Sequence, residues 1–315
     1  MMTNSLHVLV KKDVREYFQS KRIFIILLLV SLVAIISLYS GVSGFDRSSE
    51  NLEDGLFFLK IFSSSGSGLP SFASFISFLL PLVGITLGFD AINGEKIRGT
   101  LSRLMAQPVY RDDIIVSKFL AGMFVLSTMI FVLFGMVIGI SIIILGIPPT
   151  LEEVFRMLVY MVITILMIGI WFALSLGLSI FFKQATVSAL TGVFIWIFFM
   201  FFMNMLIQGL ANVIYPISNT MDSQQVVNHQ KLLINLAMFS PMSLYSNSIS
   251  AILNPGVRSL GLVFYEQLEG AIVGKLPFLE SVMVIMPQLL LMVGMIFILF
   301  IVAYLKFIKQ EIRST

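Results

Sequence analysis

The residues best equipped for chemistry lie between Asp90 and Lys118, where Glu95, Arg98, Arg103 and Arg111 stand in DAINGEKIRGTLSRLMAQPVYRDDIIVSK. A carboxylate and three guanidiniums supply fixed charge for pairing with another surface, and neither histidine nor cysteine accompanies them. The common reactive motifs are missing elsewhere too. There is no cysteine at all, which removes disulfides, thiolate metal sites and cysteine nucleophiles together. No G-x-x-x-x-G-K-[ST] loop is present to cradle nucleotide phosphates. The nearest approach, GAIVGKL from Gly270, has three spacer residues instead of four, and Leu276 where a magnesium-binding hydroxyl belongs. Neither H-E-x-x-H nor G-x-S-x-G occurs.

The elements that must position this charged segment are set by composition. Hydrophobic residues make up 58% of the 315, charged residues only 12%, and mean hydropathy is +0.99. Soluble domains carry about 25% charged residues, so this is an all-α integral membrane chain. No Asp, Glu, Lys or Arg occurs between Lys118 and Glu152, Arg156 and Lys183, Lys183 and Asp222, or Glu280 and Lys306. Each gap exceeds the roughly 20 residues needed to cross a bilayer core. Six spanning helices are expected near 23–41, 71–92, 114–146, 154–182, 186–212 and 281–307. The first follows Lys21 and Arg22 as a signal peptide would, but its apolar core is long and no A-x-A site follows, so it reads as a retained span.

Charge orients the bundle. With both termini inside, 14 of the 20 basic residues fall on the inner side, including those of the 94–113 segment and Lys118. Six basic and ten acidic residues remain outside, and the positive-inside rule selects this arrangement in the cytoplasmic membrane. The net charge of +3 is therefore a topology signal and no nucleic-acid footprint, since the basic residues form no dense tract. His7 and His229 fall on opposite sides and share no site.

Before the first span, residues 6–20 read as an amphipathic interfacial helix, with Leu6, Val10, Val14, Tyr17 and Phe18 on one face and Lys11, Lys12, Arg15, Glu16 and Gln19 on the other. Outside, 42–70 contains the flexible tract SSSGSG, and 211–280 holds two short amphipathic helices interrupted by prolines, a small cap or lid. Asn204 and Gln208 lie one turn apart in the fifth span, where bonding between helices is the expected role. Lys118 sits near a span end, where it can snorkel.

Within 94–113, Ile97, Leu101, Leu104 and Met105 recur at helical spacing, with Arg98, Ser102 and Arg103 on other faces and Pro108 ending the helix. Two readings stand side by side on the residues alone: a docking surface for a soluble partner, or a membrane-hugging loop whose arginines satisfy the positive-inside rule.

A resemblance separates them. Glu95, Gly99, Thr100 and Leu101 form E-x-x-x-G-T-L, followed by P-V-x-R at Pro108, Val109 and Arg111 and then by Lys118. This string resembles the signature of ABC-2 type transporter permeases, in particular the six-span branch that includes the nitrous-oxide-reductase maturation permease. Tyr110 departs from the small residue common there. The resemblance implies a permease that is one half of a membrane dimer, pairing with a second copy or a paralogue. ATP and magnesium are then bound by separate ABC ATPase subunits, so the permease needs no cofactor and no catalytic site of its own. It also implies that Glu95, Arg98, Gly99, Thr100, Leu101, Arg103, Pro108 and Arg111 form the coupling segment that docks on the ATPase. Arg98, Arg103 and Arg111 are expected to pair with acidic groups there. Glu95 should hold the base of the second span or meet a basic partner, Gly99 should allow close approach or a bend, and Thr100 should cap the short helix. The expected function is an exporter subunit; the rivals are a membrane component that transmits force to an external partner and an energy-independent channel or carrier.

Overall fold

The computed structural model describes residues 2–43, 57–63, 70–146, 148–216, 223–254, 256 and 276–310. The described helices are α1 (Met2–Gln19), α2 (Lys21–Ser43), α3 (Phe57–Ser63), α4 (Phe72–Gly88), α5 (Asn93–Ile97), α6 (Thr100–Met105), α7 (Arg111–Leu145), α8 (Leu151–Phe181), α9 (Ala185–Ile197), α10 (Met203–Ile214), α11 (Ser223–Ala237), α12 (Pro241–Leu253) and α13 (Phe278–Lys309). A π-helical turn, Phe198–Phe202, joins α9 to α10. Six of these segments are long and apolar enough to cross a membrane: α2, α4 with α5, α7, α8, α9 through α10, and α13. Most of the SSSGSG tract and most of GAIVGKL lie outside the described residues.

Helix α8 is the centre of the bundle. Its start is fixed by a capping box, in which the Thr150 hydroxyl accepts from the Glu153 amide and the Glu153 carboxylate accepts from the Thr150 amide. A second carboxylate oxygen of Glu153 accepts from the Phe58 amide at 2.8 Å, so α3 is tied to the same end. Along its length α8 packs against α4 and α13. Lipid supplies no hydrophobic drive between spans, so close van der Waals approach must hold them. Gly84 and Gly88 provide it: a Cβ at Gly84 would lie 2.7 Å from the Ile168 carbonyl oxygen, and one at Gly88 2.8 Å from the Ser175 Cβ. The Ser175 hydroxyl donates across the same seam to the Ile85 carbonyl at 2.8 Å.

The described helices between the fifth and sixth spans are α11 and α12, and α12 is packed into the bundle. Helix α12 packs between α8 and α13 and buries Leu244, Tyr245, Ile249 and Ile252. Its first residue, Pro241, lines an open apolar groove with Trp171 and Phe199, beside the middle of α8. The Tyr245 hydroxyl meets Thr164 at 3.3 Å, and burial pushes its phenol well above the ordinary range. Near the N-terminal end of α8, Arg156 is wholly buried. It reaches Glu152, the carbonyls of Ile252 and Leu276, and the Ser281 hydroxyl at 2.8–3.1 Å, joining α12 to the start of α13.

Asn204 and Gln208 do not bond between helices. Both are exposed on α10, and neither has a hydrogen-bond partner among the described residues. His229 of α11 instead meets the Asn212 side chain of α10 at 3.0 Å.

Candidate functional site: the charged joint around α5 and α6

The chain turns sharply after α4. The backbone amides of Ile92 and Asn93 both donate to the Ser179 hydroxyl of α8, at 2.9 and 3.1 Å. These are the amides that the start of α5 cannot satisfy itself, so a neighbouring helix caps it. Gly99 then takes φ +69°, a left-handed conformation that side-chain-bearing residues rarely adopt. It is the bend the sequence suggested. Close approach is not its purpose, since a Cβ there would meet nothing within 4 Å.

That bend splits the expected single helix into α5 and α6 and changes its faces. Leu101 is buried at 1% exposure among Leu9, Ile114, Ile115 and Phe307, with Leu104 and Met105 packed beside it. Ile97 falls on the other side of the bend and is 67% exposed, so it does not belong to the apolar ridge. Thr100 is not the cap either. Gly99 occupies that position, and the Thr100 hydroxyl donates back to the Glu95 carbonyl at 3.1 Å. Pro108 lies beyond the end of α6, with the Ala106 cap between.

The charged residues separate into two groups. Arg98, Arg103 and Arg111 are exposed, and Arg111 donates to the Gln310 carbonyl at 3.4 Å, linking the start of α7 to the end of α13. Glu95 is buried, and its partner is internal. Its carboxylate accepts from the Lys118 ammonium of α7 at 2.5 Å, while Lys118 also donates to Asp13 of α1 at 2.8 Å. Lys118 is only 6% exposed and does not snorkel. The Ser117 hydroxyl adds a 2.9 Å bond to the second oxygen of Asp13. Lys12 and Glu16 border the cluster from the exposed side.

Asp13, Glu16 and Glu95 have carboxylate oxygens close enough to hold a cation. The Lys118 ammonium fills that place, contacting all three. Tyr17 borders the cluster; burial drives its phenol well above the ordinary range, against the opposing pull of Lys118, so it adds no charge. A second pair ties the base of α2 to the end of α4: Arg22 meets Asp90 and lies 5.4 Å from the centre of the Phe89 ring. Between the two pairs is an open polar cavity of about 260 Å³, bordered by Asp13, Asp90, Glu95, Arg98 and Lys118.

The geometry is one of packing and paired charge. It holds a short helix rigidly against the end of a spanning bundle and leaves two arginines free to meet another surface. The family model for ABC-2 family transporter proteins matches residues 7–312. The chain belongs to this ABC-2 transporter family. Among curated relatives, a probable ABC transporter permease protein NosY of Stutzerimonas stutzeri is 36% identical over 74 residues, 24% of this chain and 27% of that protein. The protein of the same name from Pseudomonas aeruginosa is 33% identical over 91 residues, 29% of this chain and 32% of the relative. The matched stretches thus span about a third or less of those relatives. As an ABC-2 permease it is a multi-pass membrane protein, and E-x-x-x-G-T-L coincides with the α5–α6 joint.

Sequence reasoning picked out the joint but not what holds it. Asp13, Lys118 and Ser179 carried little signal, because their partners lie 23 to 105 positions away in the chain. One hint was available: a lysine and an aspartate within helices, facing apolar surface, need partners.

Proposed function

We propose that this chain is the membrane-spanning subunit of an ATP-driven exporter in the cytoplasmic membrane, with both termini inside. Separate ABC ATPase subunits dock on the α5–α6 joint, and a second permease, identical or paralogous, completes the membrane dimer. The supporting observation is the joint itself: α6 is anchored through buried Leu101 while Arg98 and Arg103 are exposed on a rigidly held turn. A loop that merely satisfied a charge rule would need neither the buried pair beneath it nor the left-handed glycine. ATP-driven approach of two ATPases would bias the bundle between two arrangements, and this joint is where that bias enters. ATP and magnesium belong to the ATPase on this reading, and the permease contributes no catalytic group.

The structure changes which residues a test should alter. Reversing Glu95 would set a second cation beside the buried Lys118 ammonium, whereas Arg98 and Arg103 can be reversed on the surface. Arg98→Glu with Arg103→Glu should leave the six spans inserted and reduce co-purification of the ATPase about tenfold or more. Full ATPase recovery with the doubly reversed chain would remove these arginines from the docking surface. Absence of any ATPase from native-membrane preparations of the unaltered chain would favour a channel instead.

A further inference from the structure

We infer that the N-terminal helix α1 is part of the coupling joint, and that Lys118 is the positioning residue that locks α1, α5 and α7 into one body. This rests on the docking reading above and extends it from a surface to a path. Three observations carry it. Lys118 is buried on α7, and its ammonium contacts carboxylates from two other elements, Asp13 of α1 and Glu95 of α5. Those elements are far apart in sequence and are brought together here, with Asp13 also held by Ser117. Beneath the ions, Leu9 of α1, Leu101 of α6, Ile114 of α7 and Phe307 of α13 share one apolar cluster.

A buried charge with two opposite partners resists separation, because pulling any one arm away leaves unpaired charge in a poorly solvated place. A push on α6 is therefore delivered to the base of α7 and to α1 together. Without the lock, the non-directional apolar contacts among Leu9, Leu101 and Ile114 and the chain at 106–110 would still join these elements, but such contacts can slide where paired buried charges cannot. The lock makes α1 a lever arm.

The absence of native cysteine makes the test direct. Spin labels are placed on exposed positions of α1 and α6, through Arg15→Cys and Ser102→Cys, in the permease bound to its co-purifying ATPase. With the lock intact, the distance between labels should be the same before and after vanadate trapping of nucleotide. The neutral triple variant Asp13→Asn, Glu95→Gln, Lys118→Met removes all three charges together and retains Arg98 and Arg103. It should still bind the ATPase, but the label distance should become nucleotide-dependent, and stimulation of ATP hydrolysis by the permease should fall about tenfold, within the usual range for coupling between sites. If the triple variant does not insert, Asp13→Asn alone severs the α1 arm and should free the label on α1. Lys118→Arg, which retains the charge, should preserve the fixed distance. A distance that already changes in the unaltered chain overturns the lock, as does a triple variant with unchanged hydrolysis and an unchanged distance. Either result leaves docking through Arg98 and Arg103 standing, whereas loss of ATPase binding by the unaltered chain would remove the docking reading itself.

Discussion

Lys118 shows how a single side chain at the edge of a span can be misread. Its sequence neighbours, Ser117 and Phe119, say only that an apolar run begins, and a lysine there is expected to reach for water. In the fold it turns inward, because Asp13 and Glu95 arrive from distant parts of the chain. The consequence is measurable. Lys118→Met alone leaves two buried carboxylates facing one another and should cost about 3 to 5 kcal/mol, read as a lowered unfolding temperature in detergent. The neutral triple variant should recover most of that loss, because no charge is then left uncompensated. A single mutant as stable as the unaltered protein would show that the carboxylates find water. Glu95, Arg98, Gly99, Leu101 and Arg103 were all legible as a charged, glycine-bent patch. Their division into buried anchors and exposed contacts was not, since periodicity cannot see past the break that Gly99 imposes.

At the level of elements, the spans were the easiest part to read, because runs of twenty or more residues without charge admit few other structures in lipid. What composition could not supply was the interruption of regular helix. The π turn at Phe198–Phe202 carries no proline and looks like continuous helix in sequence. Helix α12 looks like a surface amphipath, yet its serines bond to its own carbonyls and let it bury against α8. The α4–α8 seam is a sharper case: Gly84 and Gly88 recur at a spacing of four, and their meaning depends on which helix faces them. Gly88→Leu would drive a side chain into Ser175 and Leu176, so α4 and α8 should separate. The measurement is the unfolding temperature in detergent, which should fall by several degrees with leucine at 88; an unchanged value would mean that the seam is not glycine-dependent.

For the whole molecule, two polar clusters at opposite ends of α8 define its working ends. Arg156 gathers α8, α12 and α13 at one, while Lys118 gathers α1, α5 and α7 at the other. The described bundle between them is mainly apolar. On the proposed reading, a separate ABC ATPase supplies the energy for moving a cargo and the joint at α5–α6 receives it. The most direct test puts a photoreactive benzoylphenylalanine at Ser102, exposed on α6 between Arg98 and Arg103, and irradiates intact cells. The account predicts one dominant adduct, to an ABC ATPase subunit, that disappears with the Arg98→Glu and Arg103→Glu reversals. Adducts only to lipid or to other permease chains would contradict it.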